Sequence, residues 1–341
     1  MSEQGRNEDV ASAAQTYAPN MIGDFFGSIG SIATVLEGRT TFTVPLGSGN
    51  SFPRFKMAEN TSPLPQDRVY FDYDDYHNVP LSDPAIDVNA FAPGFEKTFF
   101  DEAMSFELRT PFANTLDNNN IVGGATPTSR FQFGDLGMAL KALVLENDKL
   151  AVSAGLAMTV PTGPDERIFY SPGGGNPDLV IKNGSVHLMP FVGLLWTPNE
   201  RFFTIDYLQV DVDVNGDQIS AANFAGATIR DQTFMYLDMS FGYWVYRSWR
   251  QNCCLTGLAP IFEVHVNQSL EKSDVVALPN NITIGGDSNG NPIASISVVD
   301  LTFGVTAELR RSTMITAAYC TPVSSERQFD GQFRFLLNYR F

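Results

Sequence analysis

The feature that most constrains this chain is a period of two. In segment after segment, apolar residues alternate with small or polar ones. Met104, Phe106, Leu108, Thr110 and Phe112 alternate with Ser105, Glu107, Arg109 and Pro111. Leu150 to Val160 and Val299 to Leu309 repeat the pattern with Ser153, Gly155, Asp300, Thr302 and Glu308 on the second face. Met235 to Val245 oppose Asp238, Ser240 and Gly242. Successive side chains of a strand point to opposite faces, so each segment reads as a strand between two different environments. No run of 18 apolar residues is present, which excludes a transmembrane helix; the best continuous run, Met189–Trp196, is far too short.

The segments are about ten residues long, and their connections alternate in length. Short turns at Glu146–Lys149, Thr197–Glu200 and Arg310–Ser312 alternate with long Gly/Asn/Pro loops at Ala113–Arg130, Thr162–Gly184, Asn215–Arg230 and Ser269–Pro292. A soluble β-sandwich also alternates, but nothing in it requires one short and one long end. The C-terminus is sharper. Phe333, Phe335, Leu337, Tyr339 and Phe341 form one face, and Gln332, Arg334, Asn338 and Arg340 the other. This run resembles the terminal strand of bacterial outer-membrane β-barrels, whose final aromatic residue is read by the barrel assembly machinery. The expected fold is all-β: a transmembrane antiparallel up-and-down barrel in the bacterial outer membrane, with about 12–14 strands and short periplasmic turns.

Twelve strands follow from counting Arg68 to Phe341. An earlier pair, Thr41–Leu46 and Phe52–Glu59, favours fourteen. Residues 39–341 would then be the barrel, and residues 1–38 a periplasmic or lumenal plug. Val10–Tyr17 could form a short helix. Pro190 and Pro260 fall inside strands, where they cannot donate to a ladder, and are read as bulges. In Phe203–Val214 the apolar face slips near Tyr207, which predicts a bulge there or a strand extending past the bilayer. The first thirty residues carry no signal peptide, so either the protein is cytoplasmic or, as a membrane barrel requires, an export signal lies upstream.

Composition supports a two-faced wall. Only 18% of residues are charged, and Gly (28) and Phe (27) are abundant. The formal net charge of −16 excludes nucleic acid as a partner, because phosphate backbones need a basic face. The expected lumen-lining charges are Glu107, Arg109, Asp135, Lys141, Asp238, Glu263, Asp300, Glu308 and Arg334. On the lipid side such groups would cost about 2–4 kcal/mol each. Acids outnumber bases here, so an open pore would prefer cations. The alternative is that these charges pair across the lumen and only stabilise the barrel.

Other constellations are weaker. Asp211, Asp213, Asn215 and Asp217 match the first half of a calcium loop, but Ala222 stands where the closing Glu belongs. They are candidate calcium ligands; the plainer reading is an acidic loop with an Asn-Gly turn. No other cofactor is implied. Glu263, His265, Asn267 and Ser269 share one face, but at about 7 Å per step they are too far apart for a catalytic relay. No catalytic residue is assigned, and the protein is read as a non-enzyme. Gly173–Gly175 lacks the strand and helix of a phosphate cradle. Cys253 and Cys254 fall at the periplasmic end and Cys320 at the outer end, so no disulfide between them is expected.

Phe133-Gly134-Asp135-Leu136 opening a strand, followed by Ser153-Ala154-Gly155-Leu156 and Val160-Pro161-Thr162-Gly163, resembles the outer-membrane channel family of the MetA pathway of phenol degradation. More loosely, the layout is similar to the fourteen-stranded fatty-acid transporter family. The resemblance covers roughly residues 130–165 and implies passive passage of small, often hydrophobic molecules; it carries no binding residue. The expected partners are outer-membrane lipid, the assembly machinery and a small solute. A closed structural or surface barrel and a soluble secreted ligand-binding β-protein are the alternatives.

Overall fold

The structure is a computed structural model. It describes residues 18–24, 32–37, 40–45 and 54–341, save 80–84, 117–118, 122–128, 170–177, 222–223, 225, 249–253, 279–281 and 288–289. The expected helix at Val10–Tyr17, the Gly173–Gly175 run and Cys253 lie outside the described residues.

Twelve strands form the wall: β1 (Arg68–Val79), β2 (Ile86–Phe99), β3 (Met104–Arg109), β4 (Leu136–Glu146), β5 (Leu150–Val160), β6 (His187–Trp196), β7 (Phe202–Asp213), β8 (Phe234–Tyr243), β9 (Leu255–Ser269), β10 (Ser297–Leu309), β11 (Thr313–Pro322) and β12 (Gly331–Arg340). Each pairs antiparallel with its neighbours in the chain. The ring closes where β12 pairs with β1, from Arg340↔Arg68 to Gly331↔His77. Closure removes both sheet edges, so every wall segment can satisfy its backbone inside hydrocarbon. The outer wall carries Phe71, Leu156, Val192, Phe241, Phe303, Val305, Tyr319 and Phe333, all exposed. An apolar exterior on a closed up-and-down barrel makes this an outer-membrane barrel rather than a soluble β-protein.

The count is twelve, not fourteen. Among the described residues, Thr40–Pro45 pairs only with Ile32–Glu37, in a separate two-stranded sheet. Residues 54–59 are not in the wall; they lie inside it, bonded to inward side chains of β3, β7 and β8. A run of alternating charged and apolar residues serves a filled lumen as well as a wall, so period two alone could not separate the cases.

The wall carries three more corrections. Pro190 sits outward and causes no register shift: β6 keeps one register with β5 and with β7, the ladder to β7 lapsing only at Met189 and Pro190. At Pro260 the extra residue is on the neighbouring strand. Pairing stops at Gly242↔Ile261 and resumes at Tyr246↔Leu258. β7 does not slip, since it pairs with β8 in one register from Phe202↔Tyr243 to Asp211↔Phe234. Instead Phe203, Ile205 and Tyr207 are buried inward, and Leu208 faces out. These three join an internal apolar cluster with Met21, Ile22, Phe55 and Met57, so the lumen is not polar throughout.

Beyond the wall, described parts of the long loops form further strands. Glu166–Phe169, Leu179–Lys182, Asp217–Ala221, Ala227–Ile229 and Asn119–Ile121 form a five-stranded sheet at the outer end. Ile168, Leu179, Ile181, Ile219 and Ile229 give it a small core of its own.

Candidate functional site: a filled lumen below an outer vestibule

The interior is built by two N-terminal segments that run between the ends of the barrel. At the short-turn end, Arg340 donates to Ala18 O (3.2 Å) and Asn20 Oδ1 (3.1 Å). Met21 bridges to Thr61 of the second segment. Higher up, Ile22 N and Gly23 N donate to the Glu263 carboxylate at 2.8 and 2.7 Å. Gly23 has φ +85°, and a Cβ there would lie 2.7 Å from Glu59 Cα, so only glycine fits. Ile32–Glu37, paired with Thr40–Pro45, lies beside Ile282–Ile284 of the β9–β10 loop. The second segment runs from Arg54 to Asp67, whose carbonyl accepts from Phe341 N at 3.2 Å.

Buried charges hold this path. Lys56 Nζ contacts Asp24, and lies 2.8 Å from both Asp238 Oδ1 and Asn267 Oδ1. His265 Nδ1 is 2.8 Å from Asp238 Oδ1, and its Nε2 is 3.3 Å from Glu263 Oε2. Burial alone would raise the Asp24 carboxyl, but His265 and Lys56 outweigh it and hold Asp24 well below the usual carboxylate range. Arg109 pairs with Glu59 (2.6 Å) and Glu107 (3.2 Å) and stacks on Phe55. Lys141 reaches Glu96 (2.8 Å) and the carbonyls of Ser62 and Leu64. Arg68 bonds Glu96 at 2.8 Å.

Of the lumen charges expected from the sequence, Glu107, Arg109, Lys141, Asp238, Glu263 and Arg334 are buried in these ion-paired clusters. Arg334 Nε is 2.7 Å from Asp74. Asp300 is bonded by Asn267 Nδ2 at 3.4 Å, and Glu308 is buried with its carbonyl accepting from Thr256. Asp135 stands apart at the outer rim, where it accepts from Thr162 N, Gly163 N and Asn183 Nδ2. Sequence reading missed Asp24, Arg54, Lys56 and Glu59 as lumen residues. Their signal was available as two basic residues, at 54 and 56, on one face of a short apolar run.

The candidate calcium residues do not converge. Asp211 faces Arg54 (2.8 Å) and His187 (2.7 Å). Asp213 accepts from Asn215 N, Gly216 N and Asp231 N, and Asn215 bonds Val186 N and Gly184 O. Asp217 accepts from Gly184 N and Ser185 N, and burial pushes its carboxyl up to about 6. These oxygens serve backbone donors and the side chains of Arg54, His187, Tyr236 and Ser185. Of the Glu263–Ser269 face, Glu263, His265 and Asn267 lie under the inner segments, and Ser269 Oγ accepts from Ile296 N. The terminal-strand residues Phe333, Leu337, Tyr339 and Phe341 are exposed on the outer wall, with Phe335 half-buried. Cys254 and Cys320 are both free thiols.

Above the inner segments a vestibule opens toward the outer end. Its charged lining is Arg54, Glu59, Asp72, Asp74, Arg109, Asp135, His187, Asp211, Asp217, Asp231 and Arg334, interleaved with Phe55, Ala90, Ala92, Pro111 and Met189.

No family model matches the sequence, and no curated protein is similar to it. Solved structures with a similar outline are outer-membrane proteins. An outer membrane channel from Pseudomonas putida F1 is 10% identical with a TM-score of 0.48, covering 82% of this chain and 97% of its own. The NanC porin is 8% identical at 0.43, covering 81% and 98%. The P. putida toluene transporter TodX is 9% identical at 0.38, covering 94% and 98%. The functional reading therefore rests on the chain's own geometry.

Proposed function

We propose that the protein is an outer-membrane channel or transporter for small, partly apolar molecules, in which residues 18–24 and 54–67 act as a lumenal plug. The observation that carries this reading is the vestibule above the inner segments, whose lining interleaves charged side chains with Phe55, Ala90, Ala92, Pro111 and Met189. A barrel serving only as a scaffold needs no such cavity. The resemblance of residues 130–165 to the phenol-pathway channels agrees with such solutes. The ion pairs at Glu107, Arg109, Lys141, Asp238, Glu263 and Arg334 support anchoring of the plug over cation selection by an open pore.

The packed lumen itself favours the second reading, a closed surface barrel. Liposome swelling and planar-bilayer recording separate the two. Full-length protein should admit small neutral solutes and show brief, small openings. Arg109→Met with Lys56→Met should enlarge or prolong them. Absence of flux and openings in both proteins would leave the closed barrel.

A further inference from the structure

The short-turn end of the barrel is divided by charge, although the chain as a whole carries −16. On one side the β2–β3 and β4–β5 hairpin ends hold Asp101, Glu102, Glu146 and Asp148 against Lys149, all exposed. On the other side the described parts of the β6–β7, β8–β9 and β10–β11 turns hold Arg201, Arg247, Arg310 and Arg311 against one acid, Glu200. These three turns are tied to one another. Arg247 Nη1 donates to Glu200 O (2.7 Å), Arg201 Nη1 to Trp244 O (3.3 Å) and Arg311 Nη2 to Ser248 O (3.2 Å), and Arg310 N donates to Cys254 O (3.1 Å). A carbonyl accepts such a bond without cancelling the positive charge. Arg201 and Arg310 are exposed, and among the described residues neither is ion-paired.

A groove in the lipid-facing wall begins at these turns. Its lining starts at Phe202, which follows Arg201 and pairs with Tyr243, and crosses the wall to Phe333 near the outer-end start of β12. The groove measures about 620 Å³ and is open on its outer side. Along it the small residues Gly304 and Ala317 lie among the exposed rings of Phe241, Phe303, Tyr319 and Phe333. At its foot Trp196, Tyr243 and Tyr246 are exposed, as in the aromatic belt at the level of lipid headgroups. An apolar groove that opens to hydrocarbon and ends at positive turns fits an amphiphile with an acyl tail and an anionic head. A free anion would leave the groove empty, and a zwitterionic head would bring its own cation to the arginines.

We propose that this face binds one anionic phospholipid of the leaflet at the short-turn end, with an acyl chain in the groove between Phe202 and Phe333 and its phosphate at the turns bearing Arg201 and Arg310. A second copy of the chain is the competing occupant of an apolar groove. Copies in one membrane share their orientation, so a dimer through this face would bring the same arginines together. The site needs only the barrel and not a conducting lumen.

The test is native mass spectrometry of full-length protein in a nonionic detergent, titrated with phosphatidylglycerol, with phosphatidylcholine of identical chains, or with glycerol 3-phosphate as a tailless anion. One phosphatidylglycerol should be retained, about tenfold more tightly than phosphatidylcholine. Arg201→Gln and Arg310→Gln should each weaken phosphatidylglycerol about fivefold, the worth of one basic residue at a charged lipid surface, and leave phosphatidylcholine unchanged. Ala317→Phe, which fills the groove from its exposed side, should weaken both lipids. Asp101→Asn, on the acidic side, should alter neither. Heat-modifiable migration on gels confirms the barrel in each variant, and Arg201→Gln with Ala317→Phe suffices if Arg310→Gln does not assemble. Equal binding of the two lipids, unchanged binding in the arginine variants or in Ala317→Phe, or glycerol 3-phosphate binding as tightly as the lipid would overturn the proposal. A dimer that forms without lipid and is lost in Ala317→Phe would assign the groove to a second copy and overturn it as well.

Discussion

Lys56 Nζ lies 2.8 Å from Asp238 Oδ1, with neither side chain more than 1% exposed, and this pair ties the inner segment to the barrel wall. Removing one partner strands a charge in the dry interior. Lys56→Met should therefore cost about 3–5 kcal/mol, because Asp24 and Asp238 lose their counter-charge. Lys56→Met with Asp238→Asn should recover part of that loss. The urea midpoint of the heat-modifiable band measures both, and equal midpoints for the wild type and the single variant would refute the anchoring role.

Phe303 stands in the middle of β10, 53% exposed on the outer wall. Phe303→Arg should destabilise the barrel in lipid by about 2–4 kcal/mol, the cost of a basic side chain facing the bilayer midplane. Chemical denaturation in vesicles reads the change; a cost near zero would place Phe303 outside the hydrocarbon.

Gly242 has no room for a side chain, because a Cβ would lie 2.0 Å from the Phe203 ring. Gly242→Val should cost about 1–3 kcal/mol through overpacking. Phe203→Leu in the same chain should restore much of it, since the clash is with the far edge of that ring. Lack of rescue would mean that the strand itself, not the ring, is disturbed.

The two described thiols differ in reach: Cys254 is exposed and Cys320 is buried. In a Cys253→Ser protein, a water-soluble maleimide should label one thiol quickly and the second only after boiling in denaturant. Rapid labelling of two thiols in the native barrel would contradict the inward position of Cys320.

Phe341 ends the chain on the outer wall, 65% exposed. If it serves assembly rather than packing, deleting it should lower the amount of barrel reaching the outer membrane in cells, while refolding in detergent stays close to wild type. An equal loss in both settings would point to stability instead.

Much of the wall was legible before any coordinates. In β3, β5, β8, β9, β10 and β12 the apolar set read from period two is the set that faces lipid, because one face of each strand meets hydrocarbon and the other a different environment. The strand reading failed at residues 54–59 and at Phe203, Ile205 and Tyr207, and the two failures have one cause. A segment folded into the lumen brings its own apolar residues, so inward wall positions opposite it become apolar too. Alternation then persists while its meaning inverts. The vestibule was out of reach for a different reason: Arg54, Arg334 and Met189 are far apart in the chain, and only closure of the ring brings them to one cavity.

The sequence by itself determined that this chain closes into an all-β barrel with a lipid-facing apolar exterior and a C-terminal strand ending in an aromatic residue. Those properties depend on local alternation and on the need to satisfy every backbone group in hydrocarbon. Only the tertiary structure decided the strand number, the filling of the lumen and the ion pairs that hold it. Each of these depends on which of two interiors, wall or lumen, buries a given stretch at lower cost, and that comparison exists only once β12 has met β1.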